Sequence, residues 1–271
     1  MDVVVESNDY EVDMQFGLET LKGTSDVVSL ISAAILEDNI GGRRTHRSNG
    51  VRTKLKRSFK GSFGQRFSLE ITKPELKSKL KGMGDDVFLE VLSYFVMEAL
   101  YLDSGDLSAE ADKVLDDMGD VSVELFKRLN SPLIDMHQLS KYYNQNVTLR
   151  HRKYGVAQPK KLFNLTSQTC KNITETEVDT GSITIEVIIV RYHSKTGNGR
   201  LHIKGMEEFY SFGFGTDIIT VQKELRKQIS ENLHNNNTKN VDEGDYIKLV
   251  VKGMKLPTGK IVKYLVIGIE K

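Results

Sequence analysis

Apolar residues return at steps of three and four along some stretches of the chain and alternate along others. That contrast gives a first map of elements. Val3-Val4-Val5 is β-branched and suits a strand. From Asp13 the spacing of Leu18, Leu21, Val28, Ile31, Ile35 and Leu36 predicts a helix. Gly23-Thr24-Ser25-Asp26 interrupts it, so Ser25 is expected to cap a second helical piece running to about Glu37, which Gly41-Gly42 then ends. Two strand-like runs follow, at about 51–58 and 65–72, joined by Lys60-Gly61-Ser62-Phe63-Gly64. In the second run Phe67, Leu69 and Ile71 alternate with Arg66, Ser68 and Glu70, and Pro74 closes it. Residues 85–129 read as two helices: Val87, Phe88, Val91, Leu92, Phe95, Val96, Ala99 and Leu100 hold one face of the first, and Ser108 starts the second. Ser131-Pro132 predicts a further short helix, because proline favours the first helical position.

Residues 144–182 are rich in Asn, Thr, Gln and Lys and read as a polar linker (146–182 once the domains are drawn), with a short strand at about 162–165. Beyond it, strands are expected at 183–192, 200–204, 209–214, 245–254 and 260–270, with a helix at 219–234 between the third and fourth. Leu256-Pro257-Thr258-Gly259 is the turn between the last two, since proline presets φ and glycine permits positive φ. The order β-β-β-α-β-β, with the turn Gly197-Asn198-Gly199-Arg200-Leu201-His202-Ile203, resembles OB-fold and other small-barrel binding domains. The expected class is α+β. An N-terminal domain at 1–145, with a basic hairpin and a helical region, precedes an OB-like five-stranded β-barrel with one helix at 183–271.

Composition narrows the function classes. The 271 residues carry a formal net charge of +1, which excludes a uniformly basic nucleic-acid coat. The charge is nonetheless segregated: 1–38 is −8, 39–81 is +11, 82–135 is −10, 136–171 is +7, 172–190 is −4 and 191–271 is +5. Such blocks neutralise each other within one monomer or meet between chains. One cysteine, Cys170, excludes an intrachain disulfide and any multi-cysteine zinc site. No apolar run reaches the ~20 residues of a membrane span, and no signal peptide is read at the start, so a cytoplasmic setting is expected.

Three constellations bear on chemistry. From Asn39 to Leu69 there is no acid, but there are Arg43, Arg44, His46, Arg47, Arg52, Lys54, Lys56, Arg57, Lys60 and Arg66. Arg52, Lys54 and Lys56 fall on one strand face with Phe59 and Phe63 close by, a pattern suited to phosphate contact with base stacking. The same tract also reads as a solvated hairpin that pairs with the acidic helices or guards a sheet edge. In the barrel, Arg200, His202 and Lys204 alternate with Leu201 and Ile203, while Tyr210, Phe212 and Phe214 share a face that either stacks bases or fills the core; the core is preferred. Asp112, Asp116 and Asp120 recur at i, i+4, i+8 with Asp117 beside them, a pattern that could hold Mg²⁺ but that a plain polar helix face explains, and the polar face is preferred. Glu70, Glu75 and Lys77 are the residues of a nuclease alternative. The six histidines have no metal-ligand spacing, Cys170 has no histidine at motif spacing, and no phosphate-binding glycine loop is present.

Over its whole length the chain also resembles bacterial proteins met near mobile elements and phage-defence genes, through residues 18–23, Gly61-Ser62-Phe63 and 197–203. The resemblance supplies no catalytic residues. The first expectation is a non-enzymatic nucleic-acid-binding module or accessory subunit, possessing no catalytic residue, metal or cofactor, and binding through Arg43, Arg44, Arg47, Arg52, Lys54, Lys56, Arg57, Lys60, Arg200, His202 and Lys204. The second is a protein-interaction or assembly subunit forming charge-complementary oligomers. The third is a metal-dependent nuclease. No membrane partner is expected.

Overall fold

The computed structural model describes residues 1–7, 11–40, 50–59, 63–153 and 155–270. Arg43, Arg44, Arg47 and Lys60, the Gly41-Gly42 helix end and the tip of the basic hairpin lie outside them. The chain forms two compact units, Met1–Leu100 with Ser104–Thr174, and Tyr101–Asp103 with Glu175–Lys271.

The first unit is built on an antiparallel sheet of β1 (Asp2–Val5), β2 (Val51–Phe59), β3 (Phe63–Ile71), β4 (Val147–His151) and β5 (Lys160–Leu165), in the order β2-β3-β1-β4-β5. The stretch expected as a linker therefore carries two strands of this sheet, followed by a helix. Val147, Leu149, Phe163 and Leu165 are buried on the same face as Val3, Val5 and Phe67. Burial of that alternating set outweighs the polar composition of the positions between.

Helices cover this face. The first, α1 (Met14–Glu37), is continuous where a break was expected. Asp13 caps it by accepting from the Phe16 amide at 3.0 Å, and that hydrogen bond holds the Asp13 carboxyl below its ordinary range. Ser25 is mid-helix, its hydroxyl 2.5 Å from that of Thr53 on β2. Pro74 opens α2 (Pro74–Met83), and α3 (Asp85–Ala99) buries the apolar stripe legible in its sequence. The Ser108 hydroxyl caps α4 (Ala109–Met118) by accepting from the Ala111 amide.

Gly119, at φ 50 and ψ −126, then separates α4 from α5 (Asp120–Met136). Asp112 and Asp116 therefore lie on one helix and Asp120 opens the next. Pro132 does not start a helix but sits inside α5, where it forfeits one helical hydrogen bond. The helix continues through it because Leu125, Leu129, Leu133 and Met136 are all buried along one face. Two short helices, α6 (Gln138–Tyr143) and α7 (Ser167–Thr174), complete the unit, and Cys170 on α7 is buried and forms no disulfide.

His137, between α5 and α6, is fully buried. Its Nδ1 lies 2.6 Å from the Leu133 carbonyl, which can only accept, so Nδ1 carries the proton and Nε2 faces the Thr169 hydroxyl at 2.9 Å. Burial pushes its pKa down from 6.5 to about 4. The unfolded chain thus takes up a proton below its ordinary value that the folded chain refuses until about pH 4. Stability is expected to fall by on the order of 2–3 kcal/mol as pH drops through that window. Urea unfolding at neutral pH and near pH 4.5 should show the loss, and His137→Gln should show a correspondingly smaller one.

The second unit contains β6 (Glu177–Val178), β7 (Ile183–Tyr192), β8 (Gly199–Ile203), β9 (Phe209–Phe214), α8 (Lys223–Asn236), β10 (Ile247–Lys255) and β11 (Ile261–Ile269). Pairings β7–β8, β8–β9, β9–β11, β11–β10 and β10–β7 close a five-stranded barrel in which only β9–β11 is parallel. The helix falls between the third and fourth barrel strands, so the OB-like α+β architecture holds. A bulge at Val190 breaks the β7–β8 ladder, and the Asn232 side chain on α8 accepts from the Ile189 amide at 2.8 Å. Asn232 also donates to the Asp245 carbonyl at 2.7 Å, so one side chain ties the helix to the barrel.

Candidate nucleic-acid interface

Register places one residue of each strand of the first sheet in a single cross-strand row. Asp2 on β1 lies opposite Arg66 on β3 and Arg150 on β4; Arg66 lies opposite Arg57 on β2, and Arg150 opposite Lys161 on β5. Directly opposed residues share a face, and this face is the reverse of the one that carries Val3, Val5, Phe67 and Leu149. Four cations therefore flank one carboxylate. Asp2 is fully buried, accepting from Arg66 Nε at 3.0 Å and from Arg152 Nε at 3.3 Å. A buried carboxylate is tolerable only with such donors, and in return it orients both guanidiniums. Arg57, Arg152 and Lys161 are exposed, whereas Nε of Arg150 is enclosed without a hydrogen-bond partner among the described residues.

The expected strand face needs one adjustment. A bulge between Leu55 and Arg57 makes Lys56 the extra residue, so Arg57 rather than Lys56 takes the row with Arg66. Arg52 and Lys54 share the face, opposite Glu70 and Ser68, and Lys54 pairs with Glu70 at 2.5 Å. That hydrogen bond holds the Glu70 carboxyl below its ordinary range. Phe59 is on the same face, its ring lying over Gly64, where a Cβ would meet the ring's Cδ2 at 2.8 Å. The Arg66 guanidinium stands 5.6 Å from the Phe59 centroid. Phe63, opposite Val5, belongs to the other face.

The barrel's basic residues have different surroundings. Arg200 and His202 are buried, and Lys204 is exposed. His202 Nε2 donates to the Met206 carbonyl at 2.7 Å and its ring packs 5.4 Å from that of Phe209. Lys204 pairs with Glu186 at 2.7 Å, a contact that raises the lysine pKa and lowers that of the glutamate. Phe212 is fully buried, while Tyr210 and Phe214 are half-buried.

Glu75 and Lys77 lie on α2, and Glu70 is engaged with Lys54 on β3. No group of three or more His, Cys, Asp or Glu among the described residues is arranged to hold a metal ion. Arg150, Arg152 and Lys161 are the site residues that sequence reasoning passed over. Their signal was the 136–171 block, seven bases without an acid, set among the alternating positions of two short strands.

No helix among the described residues is long and apolar enough to cross a membrane. The chain matches no protein-family model, no curated protein and no solved structure.

Proposed function

We propose that this chain is a non-enzymatic nucleic-acid-binding module whose N-terminal sheet presents the phosphate-contacting face. The observation that carries the reading is the five-strand row Arg57–Arg66–Asp2–Arg150–Lys161, in which two sequence-distant positive blocks become one surface. Arginines fixed by a buried carboxylate lose little freedom when they contact phosphate, and Phe59 beside them offers a ring for a base. Arg52, Lys54 and Lys56 extend the cationic area along β2. An accessory role in a bacterial phage-defence or mobile-element system, in the cytoplasm, belongs to the same proposal.

Arg57→Glu with Lys161→Glu changes the two exposed ends of the row and leaves the Asp2 clamp intact. Anisotropy titrations with single- and double-stranded DNA and RNA are expected to show at least about tenfold weaker binding at low salt. The slope of log affinity against log salt should flatten by about 2, roughly one per lost phosphate contact. Unchanged affinity in the folded double variant would remove the sheet from the interface.

The second reading, charge-complementary assembly, draws on the exposed acids Glu110, Asp112, Asp116 and Asp117 of α4, an element apart from the cationic face. Under it, sedimentation should show oligomers at low salt that dissociate as screening rises. A monomer at every ionic strength would dismiss it.

A further inference from the structure

A second cross-strand row lies on the outer face of the barrel. Arg191 on β7 is opposite Arg200 on β8, Arg200 is opposite Ser211 on β9, and Ser211 is opposite Lys263 on β11. The adjacent positions Tyr192, Gly199, Phe212 and Tyr264 form the neighbouring row, which faces the interior around the fully buried Phe212. Three cations and a hydroxyl thus stand side by side with no acid in the row. Two arginines directly opposed on neighbouring strands repel unless an anion lies between them.

In this structure the anion is the chain's own. Asp103 Oδ1 lies 2.9 Å from Arg191 Nη2 and 3.8 Å from Arg200 Nε. The guanidinium side chains are only 20% and 8% exposed, yet the Asp103 side chain is 63% exposed. The carboxylate caps the row from the solvent side instead of being built into it. Tyr101, two residues earlier, lies under the Lys263 ammonium at 5.3 Å from its ring centroid. Gly213 leaves room for this lysine, since a Cβ there would come within 2.7 Å of Cε and 2.9 Å of Nζ. Asn198 Oδ1 fixes the same ammonium at 2.9 Å. Ser211, in the middle of the row, is 1% exposed, and its hydroxyl has no hydrogen-bond partner among the described residues. A buried hydroxyl without a partner costs free energy, and this one stands in register between Arg200 and Lys263, on the cationic row.

We propose that the row Arg191–Arg200–Ser211–Lys263 is a phosphate-group site, which Asp103 occupies in place of ligand. A phosphate offers what one carboxylate does not: enough oxygens to serve two guanidiniums, the Ser211 hydroxyl and the Lys263 ammonium together. Ligand and Asp103 compete, so the site is held closed until a phosphate group displaces the carboxylate. This site is independent of the sheet face.

The full chain is titrated with inorganic phosphate at constant ionic strength, with apparent affinity read from the rise in melting temperature. Asp103→Ala is expected to bind about tenfold more tightly than the wild type, and adding Lys263→Gln should abolish the gain. Asp103→Asn, which keeps the side-chain shape, should reproduce the gain if the alanine variant is unstable. A parallel arm uses a short single-stranded oligonucleotide in the Arg57→Glu/Lys161→Glu background, where the sheet does not contribute. A gain for both ligands assigns the site to a phosphodiester, and a gain for inorganic phosphate alone assigns it to a small phosphate compound. Phosphate affinity unchanged by both Asp103 variants would overturn the proposal and leave the row as a structural ion pair.

Discussion

Replacing Phe212 with alanine is expected to cost on the order of 3–5 kcal/mol, comparable to the whole stability of a small domain. The ring is fully buried. It stacks on Tyr192 with centroids 6.0 Å apart and planes at 19°, and it covers Gly199, where a Cβ would fall 2.6 Å from the ring's Cζ. Gly199 is thus small because Phe212 is large, and truncating the ring opens a cavity that its neighbour cannot fill. Burial of the ring contributes about 2 kcal/mol or more from transfer alone, and the cavity adds to that. Thermal melts should show a large fall for Phe212→Ala and a smaller one for Phe212→Leu. Half-buried Tyr210, whose ring meets that of Tyr264 edge-on at 5.6 Å, should lose less on truncation. A stable Phe212→Ala chain that no longer binds single strands would instead make this strand a recognition surface.

What the sequence showed of this molecule depended on how local each signal is. The stripe of α3 and the barrel strands are written in contiguous residues. So is the Pro257–Gly259 turn, where Gly259 takes the φ of 84 that the spacing calls for. Of the two strands inside the supposed linker, β5 was read at about 162–165 and β4 was not, because its reverse face carries polar residues such as Thr148, whose hydroxyl donates to the Asn164 side chain at 2.8 Å. Such a pair is equally at home in a loop. The cationic row was not legible at all. It needs β1 to pair with β3 on one side and with β4 on the other, across long sequence separations, and it needs bulges after Leu55 and Leu149 to set the phase. A slip of one residue at either bulge would turn Arg57 or Lys161 to the other face. The basic character of both segments was visible in their charge, but not their union. In the barrel the alternation of Arg200 and His202 was visible, whereas their burial depends on what covers the outer face.

Gly23 shows the same limit from the opposite direction, and its replacement by alanine is expected to destabilise the fold by about 3 kcal/mol. In an exposed helix this change is favourable by about 1 kcal/mol, because alanine is the better helix former. Here α1 runs unbroken through Gly23, which is placed where α5 ends. A Cβ on Gly23 would overlap the Met136 amide nitrogen and fall 2.7 Å from both the Asp135 carbonyl carbon and the Met136 Cα. These are backbone atoms, so relief requires moving a helix rather than rotating a side chain. The helix end is also held in place: Lys22 pairs with Asp135 at 2.7 Å, and the Thr20 hydroxyl accepts from the Leu139 amide at 3.2 Å. Moving α5 outward would strain those contacts and the buried His137 beside Met136. Overpacking therefore outweighs helix propensity, and the sign of the effect is the test. Gly23→Val, with a larger and β-branched side chain, should leave no cooperative unfolding transition in circular dichroism. An alanine variant melting at or above the wild type would mean that α1 and α5 do not approach this closely, and that Gly23 marks a break in the helix after all.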